Sequence, residues 1–285
     1  MMEIIDGKTV SNGLRQELKV KIAALKENFG KTCGLCVIIA GNDPASEIYV
    51  RNKMKACEET GIYSETVKLP ETVTQEELNA AVKQQVDRND IDGILVQLPL
   101  PKGLNEEEAL NLIPPEKDVD GLSDENMGRL ALGKETFPSC TPGGIIKLLE
   151  YYKIPMRGKH AVVLGRSNIV GKPMALLLLK NDCTVTICHS KTENLKEIVK
   201  TADIIVSAVG KVNFVTDDMV KDGAVVIDAG INRNNGHLCG DVDYVNVAKK
   251  ASFITPVPGG VGPMTVTMLI YNTYESALRK INGRF

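Results

Sequence analysis

The chain has 285 residues, 43% of them hydrophobic and 25% charged, with a formal net charge of −2. That length accommodates two ordinary domains with sizeable cores, the near-neutral charge argues against a nucleic-acid binder with a broad basic face, and no apolar run is long enough to span a bilayer. Seven cysteines, an odd number in a long chain, fit a reducing, cytoplasmic compartment rather than a disulfide framework.

From the N-terminus, Glu3 and Asp6 stand where a signal peptide would be apolar. Leu14, Leu18, Ile22 and Leu25 then recur at helical spacing and predict an amphipathic helix within residues 1–30. A strand over 35–40 follows. Cys33 and Cys36 are spaced as C-x-x-C, but they lie in this apolar stretch and read as core packing. After a turn at 41–44, a helix from about Ser46 ends at Gly61, a good residue just past a helix end. A strand over 64–69, a capping box at Thr74–Glu77 opening a helix, a strand over 93–98 and a helix over 106–113 stopped by Pro114 and Pro115 come next. Strands alternating with helices predict an α/β region built on a parallel sheet.

Residues 133–144, rich in Gly, Pro, Ser and Thr, read as a linker into a second α/β region with strands at 160–164, 184–188, 203–208, 224–228 and about 252–254. A Pro/Gly-rich crossing at 255–264 precedes an amphipathic helix over 265–280 that returns the chain to the first region. The expected domains are therefore 1–140 plus 265–285, and 141–264.

The strongest functional signal is the strand–loop–helix at 160–174. Gly165 and Gly171 let the backbone turn tightly and approach a pyrophosphate, and the helix start offers bare N–H groups and a positive dipole end. Ser167 occupies the place of the second glycine in the usual G-x-G-x-x-G. About twenty residues on, an NAD-binding unit carries a carboxylate for the ribose 2′-hydroxyl. Here the strand ends in His189, Ser190, Lys191 and Thr192. Arg166, with Ser190 and Lys191, suits a 2′-phosphate instead, a preference for NADP over NAD of roughly ten- to a hundredfold.

In the first region, Tyr49 and Lys53 are four apart and share one helix face. A lysine beside a phenol in a desolvated cleft can exchange protons, although this spacing is usually surface packing. Gln97 sits near the carboxyl end of a strand, where open α/β sheets place ligand groups. Asp118 and Asp120 are either carboxylates for an amino-pyrimidine ring or a turn with two solvated acids. Three scattered histidines without ligand spacing leave no apparent metal site.

Taken in order, Tyr49-Val50-Arg51-Asn52-Lys53, Val96-Gln97-Leu98-Pro99-Leu100-Pro101, Lys117-Asp118-Val119-Asp120-Gly121-Leu122, Cys140-Thr141-Pro142-Gly143-Gly144, Gly165–Pro173, Cys188–Thr192 and Pro256–Thr265 resemble the bifunctional methylenetetrahydrofolate dehydrogenase/cyclohydrolases. The resemblance runs from about residue 35 to 270, and its motifs at 165–173 and 256–265 are the most specific. It implies an N-terminal α/β catalytic domain, a Rossmann-type NADP-binding domain and a C-terminal helix returning to the first. It implies oxidation of 5,10-methylenetetrahydrofolate with NADP, then hydrolysis of the methenyl cation to 10-formyltetrahydrofolate, with folate and nicotinamide sharing one cleft. By the family pattern Lys53 is the acid/base group, Tyr49 orients it and packs on the folate ring, Gln97 tunes it, and Asp120 grips the pterin. Gly165, Arg166, Ser167, Ser190 and Ile231 contact the cofactor; Gly259, Gly260 and Pro263 line the substrate site. Members are typically homodimers paired through the cofactor domain, with tetrahydrofolate derivatives as partners rather than nucleic acid or membrane.

Two other functions compete. A monofunctional NAD(P) dehydrogenase would not need Lys53 and Gln97. A non-catalytic nucleotide sensor would keep the glycine loop without the set Tyr49, Lys53, Gln97 and Asp120.

Overall fold

A computed structural model describes residues 2–234 and 236–283. In chain order the elements are β1 (Glu3–Ile4), α1 (Gly7–Phe29), β2 (Gly34–Ala40), α2 (Pro44–Thr60), β3 (Tyr63–Leu69), α3 (Gln75–Val86), β4 (Gly93–Val96), α4 (Glu106–Leu110), α5 (Asp124–Ala131) and α6 (Cys140–Tyr151). They continue with β5 (His160–Leu164), α7 (Gly171–Lys180), β6 (Thr184–Cys188), α8 (Leu195–Lys200), β7 (Ile204–Ser207), a short 3₁₀ turn, β8 (Val225–Asp228), β9 (Asn232–Asn234), β10 (His237–Cys239), α9 (Tyr244–Val247), β11 (Phe253–Ile254) and α10 (Val261–Ile281). The chain divides into two compact units, Gly13–Cys140 with Val266–Phe285, and Met1–Asn12 with Thr141–Thr265.

The first unit is built on a three-stranded parallel sheet of order β3-β2-β4. All seven residues of the central strand β2 are buried, which fits a strand covered on both faces. One face carries Leu35, Val37 and Ile39 against Leu18, Ile22 and Leu25 of α1 and Met268, Leu269 and Ile270 of α10. The other carries Cys36, Ile38 and Ala40 against Leu78 and Val82 of α3. Cys33 belongs to the first cluster and Cys36 to the second. Their thiols therefore point to opposite faces, and burial pushes each up to about 12.

The second unit holds a six-stranded parallel sheet of order β1-β11-β8-β7-β5-β6, with β9 and β10 forming a small antiparallel hairpin. Strand order reverses between β5 and β7: the chain runs outward from β5 to β6, then back past β5 to β7 and β8. The crevice at such a switch point, outside the carboxyl ends of the strands, is where open α/β sheets bind ligands.

Four expectations need correction. Residues 133–144 are not a free linker, because α6 begins at Cys140. Gly144 is there for close packing, since a Cβ on it would lie 2.8 Å from the Met264 Cβ. The N-terminal residues 1–12 group with the six-stranded unit in the structure: β1 pairs in parallel with β11 at the edge of that sheet. The helix at 106–113 is shorter, ending at Leu110. Finally, α10 starts at Val261, inside the Pro/Gly crossing rather than after it.

Candidate functional site

In the first unit, α2 presents Tyr49 and Lys53. The helix is well bounded: Asp43 accepts the Ser46 N–H at 2.8 Å, Pro44 occupies its first turn, and Gly61 closes it in the left-handed region at φ 83°. Lys53, half-buried, donates from Nζ to Gln97 Oε1 at 2.9 Å. Gln97 is 8% exposed and lies just past the carboxyl end of β4. It is fixed from two sides, its backbone N–H donating to Ile38 O at 2.8 Å and its Nε2 to Leu98 O at 2.7 Å. The Lys53 ammonium is thus held by an amide oxygen that cannot turn away. Tyr49 stands one turn earlier and is 39% exposed.

The two aspartates after β4 have different surroundings. Asp118 is buried, and its carboxylate accepts from Gly121 N (3.0 Å), Leu122 N (3.2 Å), Ser123 N (2.9 Å) and Asn126 Nδ2 (2.8 Å). It organises the loop into α5. Asp120 is half-buried. Burial pushes its carboxyl above the usual carboxylate range; Lys53 pulls it down, Asp118 pushes it up, and the Cys140 thiol pulls it down by hydrogen bonding. Asp120, Lys53 and Gln97 therefore share one site. Cys140 belongs to it as well, its buried thiol donating to Val119 O at 3.4 Å and pushed up by burial and by Asp120. The sequence had marked Cys140 within the linker stretch and as the first residue of a family motif, without giving it a place in the site.

In the second unit, Gly165 follows β5 with φ 115°, and a Cβ there would lie 2.5 Å from Ala208 O, across the switch point. A Cβ on Gly171 would lie 2.3 Å from Gly165 O. Both positions admit only glycine, and the loop closes on its own backbone. Ser167 fills the second glycine's place usefully: its Oγ accepts from Val170 N at 3.1 Å and Gly171 N at 3.3 Å, shaping the turn into α7. Arg166 is exposed, as are Ser190 and Lys191 after β6. Leu164 and Cys188 are register partners, so the two loops leave neighbouring strand ends. Ile231, 54% exposed, follows the carboxyl end of β8. Gly259 (φ 108°), Gly260 and Pro263 lie in the crossing and the first turn of α10, also in this unit. The glycine cradle and the cations beside it fit a dinucleotide phosphate. Among the described residues, no three His, Cys, Asp or Glu side chains gather as a metal ion would need. No described helix is long and apolar enough to cross a membrane.

Two family models match this chain: "tetrahydrofolate dehydrogenase/cyclohydrolase, catalytic domain" over residues 5–120 and the "NAD(P)-binding domain" of the same family over 139–281. The bifunctional protein FolD of Lysinibacillus sphaericus is 54% identical over 279 residues, covering 98% of each chain. Among solved structures, the bifunctional methylenetetrahydrofolate dehydrogenase/cyclohydrolase of Campylobacter jejuni superposes with a TM-score of 0.97 at 48% identity, covering 98% of this chain and 100% of that one. The methylenetetrahydrofolate dehydrogenase-cyclohydrolase of Trypanosoma brucei, solved with NADP and an inhibitor, gives a TM-score of 0.94 at 39% identity over 98% of each chain.

Proposed function

This chain belongs to the tetrahydrofolate dehydrogenase/cyclohydrolase family, and from that premise we propose how its residues divide the work. The enzyme oxidises 5,10-methylenetetrahydrofolate to 5,10-methenyltetrahydrofolate with NADP and hydrolyses the product to 10-formyltetrahydrofolate. The folate chemistry belongs to residues 13–140 with 266–285; the cofactor belongs to the six-stranded unit.

The observation that carries the assignment is the Lys53 Nζ to Gln97 Oε1 hydrogen bond of 2.9 Å, with Asp120 close enough to be pulled down by the same ammonium. Hydride transfer requires orientation rather than a protein nucleophile. NADP, when bound, supplies the hydride acceptor. Gly165 and Gly171 would admit its phosphates, Ser167 holds the loop whose backbone N–H groups would meet them, and Arg166 with Ser190 would hold the 2′-phosphate. Ile231 would meet the nicotinamide through its backbone.

In the hydrolytic step, the oxygen of water bonds to the bridging carbon and the carbon–N5 bond breaks. N5 takes a proton, the formyl group stays on N10, and one proton is released. As the neutral amine, Lys53 Nζ accepts the proton from the attacking water and then, as the ammonium, returns one as the ring opens, while Gln97 Oε1 keeps it aimed. Tyr49 packs on the folate ring. Asp120 accepts two N–H donors from the pterin's amino-pyrimidine edge, a paired contact stronger than a neutral hydrogen bond.

A homodimer is supported by β6, the outermost strand of its sheet, with Ile187 on it and Leu179 on α7 exposed. A cytoplasmic location is supported by the seven free cysteines, six of them buried. Purified protein given methylenetetrahydrofolate should reduce NADP and then convert methenyl- to formyltetrahydrofolate. Hydride transfer without hydrolysis would leave a monofunctional dehydrogenase.

A further inference from the structure

Asp241 is fully buried, yet nothing above gives it a role. Its Oδ2 accepts from Ser207 Oγ (3.1 Å), Val209 N (2.7 Å) and Gly210 N (3.2 Å). Its Oδ1 accepts from Lys211 N and Asn232 Nδ2, both at 2.9 Å. One carboxylate thus gathers the end of β7, residues 209–211 of the loop after it, and the first residue of β9, just beyond Ile231. A second carboxylate seats the first. Asp228, at the end of β8, accepts from Asp241 N (3.0 Å), Val242 N (2.9 Å) and Gly230 N (2.9 Å). The packing leaves no room for error: a Cβ on Gly230 would lie 2.2 Å from Asp241 Oδ1, and one on Gly240 1.9 Å from Asp228 Oδ2. The loop held in this way begins at Ala208, whose carbonyl oxygen is the atom that Gly165 must avoid.

We propose that Asp241 is a positioning residue for the dehydrogenase step, fixing the loop after β7 between the glycine loop and the Ile231 loop so that both meet the nicotinamide cofactor in register. The proposal rests on the reading of Gly165 and Ile231 as cofactor contacts. It has a chemical consequence. The amides of Val209, Gly210 and Lys211 are engaged by a buried anion, so this loop offers no N–H of those three residues to a phosphate. It faces the cofactor with acceptors, which suit hydroxyl or carboxamide donors. Phosphate recognition is left to the loop at 165–171.

The test is Asp241→Asn. Each carboxylate oxygen faces at least two donors, so an amide NH₂ meets N–H groups whichever way it is turned. The KM for NADP should rise roughly tenfold or more, and the dehydrogenase kcat should fall. Hydrolysis of methenyltetrahydrofolate, measured without NADP on the same sample, should stay within about twofold of the parent and so serve as the control for folding. Asn232→Ala, which removes one of the five contacts, should show a smaller rise in KM with the same split between activities. Parallel loss of both activities in both variants would make Asp241 a general structural residue and overturn the proposal. An unchanged KM for NADP in folded Asp241→Asn would also overturn it. Arg166→Ala separates the two failures: if it raises the KM for NADP while Asp241→Asn does not, only the proposal falls, whereas no effect from either variant removes the cofactor reading beneath it.

Discussion

In the three-stranded unit, the groups proposed to act are side chains that hold or influence one another: Lys53 donates to Gln97, and Asp120 feels the Lys53 charge. At the ends of the six-stranded sheet, the groups proposed to act are backbone and exposed side chains, shaped by glycines that no other residue can replace. Buried carboxylates serve both places in the same way. Asp118 draws in three backbone amides and Asn126, and Asp241 draws in three amides, Ser207 and Asn232. The difference follows from the task. Proton transfer needs a titratable atom aimed within hydrogen-bond reach, so the first unit keeps a charged group on a fixed amide. Dinucleotide binding needs close approach and many N–H groups, so the second unit removes side chains and fixes loops.

The contrast predicts effects that separate by activity. The largest is expected for Lys53→Met, which should lower cyclohydrolase turnover by about 10²–10⁴ and leave NADP affinity within a few-fold. Stopped-flow loss of methenyltetrahydrofolate absorbance measures it, and parent-like hydrolysis would remove Lys53 from the mechanism. Next comes Asp118→Ala. It orphans four donors in a buried loop, at a cost on the order of 3 kcal/mol. The melting temperature should fall by roughly 5–10 °C, and folate binding should fall with it because the same loop carries Asp120. Asp120→Ala should instead weaken folate in both activities with little change in melting. If the two variants melted alike, the division of labour between these acids would be wrong.

Arg166→Ala should be milder, weakening NADP by roughly ten- to a hundredfold through one lost charge-assisted contact and leaving NAD nearly unchanged. Fluorescence titration with each cofactor reads it directly. Equal losses for both would mean that the guanidinium does not meet the 2′-phosphate, and its recognition would then fall to Ser190, Lys191 and the backbone.

Much of this was legible in the residues, for reasons that differ from place to place. The parallel α/β class showed because strands such as 160–164 and helices such as 75–86 carry strong local patterns, and the capping box at Thr74 and Glu77 forms as expected. The glycine loop showed because glycine positions are set by local backbone geometry. Other features depend on tertiary placement. A two-residue strand such as β1 has no period to detect, and its pairing with β11 spans almost the whole chain. Gly143 and Gly144 read as a linker because their propensity is poor, while packing of Gly144 on Met264 decides the outcome. Lys53 and Gln97 are 44 residues apart, so only the sheet brings them together. Asp228 and Asp241 carry no motif. A lone acid after an apolar strand looks like a solvated turn until its donors are seen.

The smallest expected effect sharpens the comparison most, because it asks whether the first unit sacrifices stability to hold a charge. The Asp120 carboxyl is raised above the usual carboxylate range, chiefly by burial. A carboxylate whose pKa rises on folding binds its proton more tightly in the native state than in the unfolded chain. Stability therefore falls as pH climbs from the ordinary carboxylate pKa of about 4 towards the folded value, and the penalty stays constant above that. Asp120→Asn keeps the shape and removes the penalty. It should melt above the parent at pH 7 and level with it below about pH 4, while binding folate less tightly than the parent and more tightly than Asp120→Ala. The Lys53 ammonium offsets part of the cost, so the gain should be larger in a Lys53→Met background, where the carboxylate has lost its cation. Calorimetry of the four proteins at both pH values completes the cycle. A gain in melting temperature that is the same at pH 4 and pH 7 would trace the effect to packing and not to the buried charge.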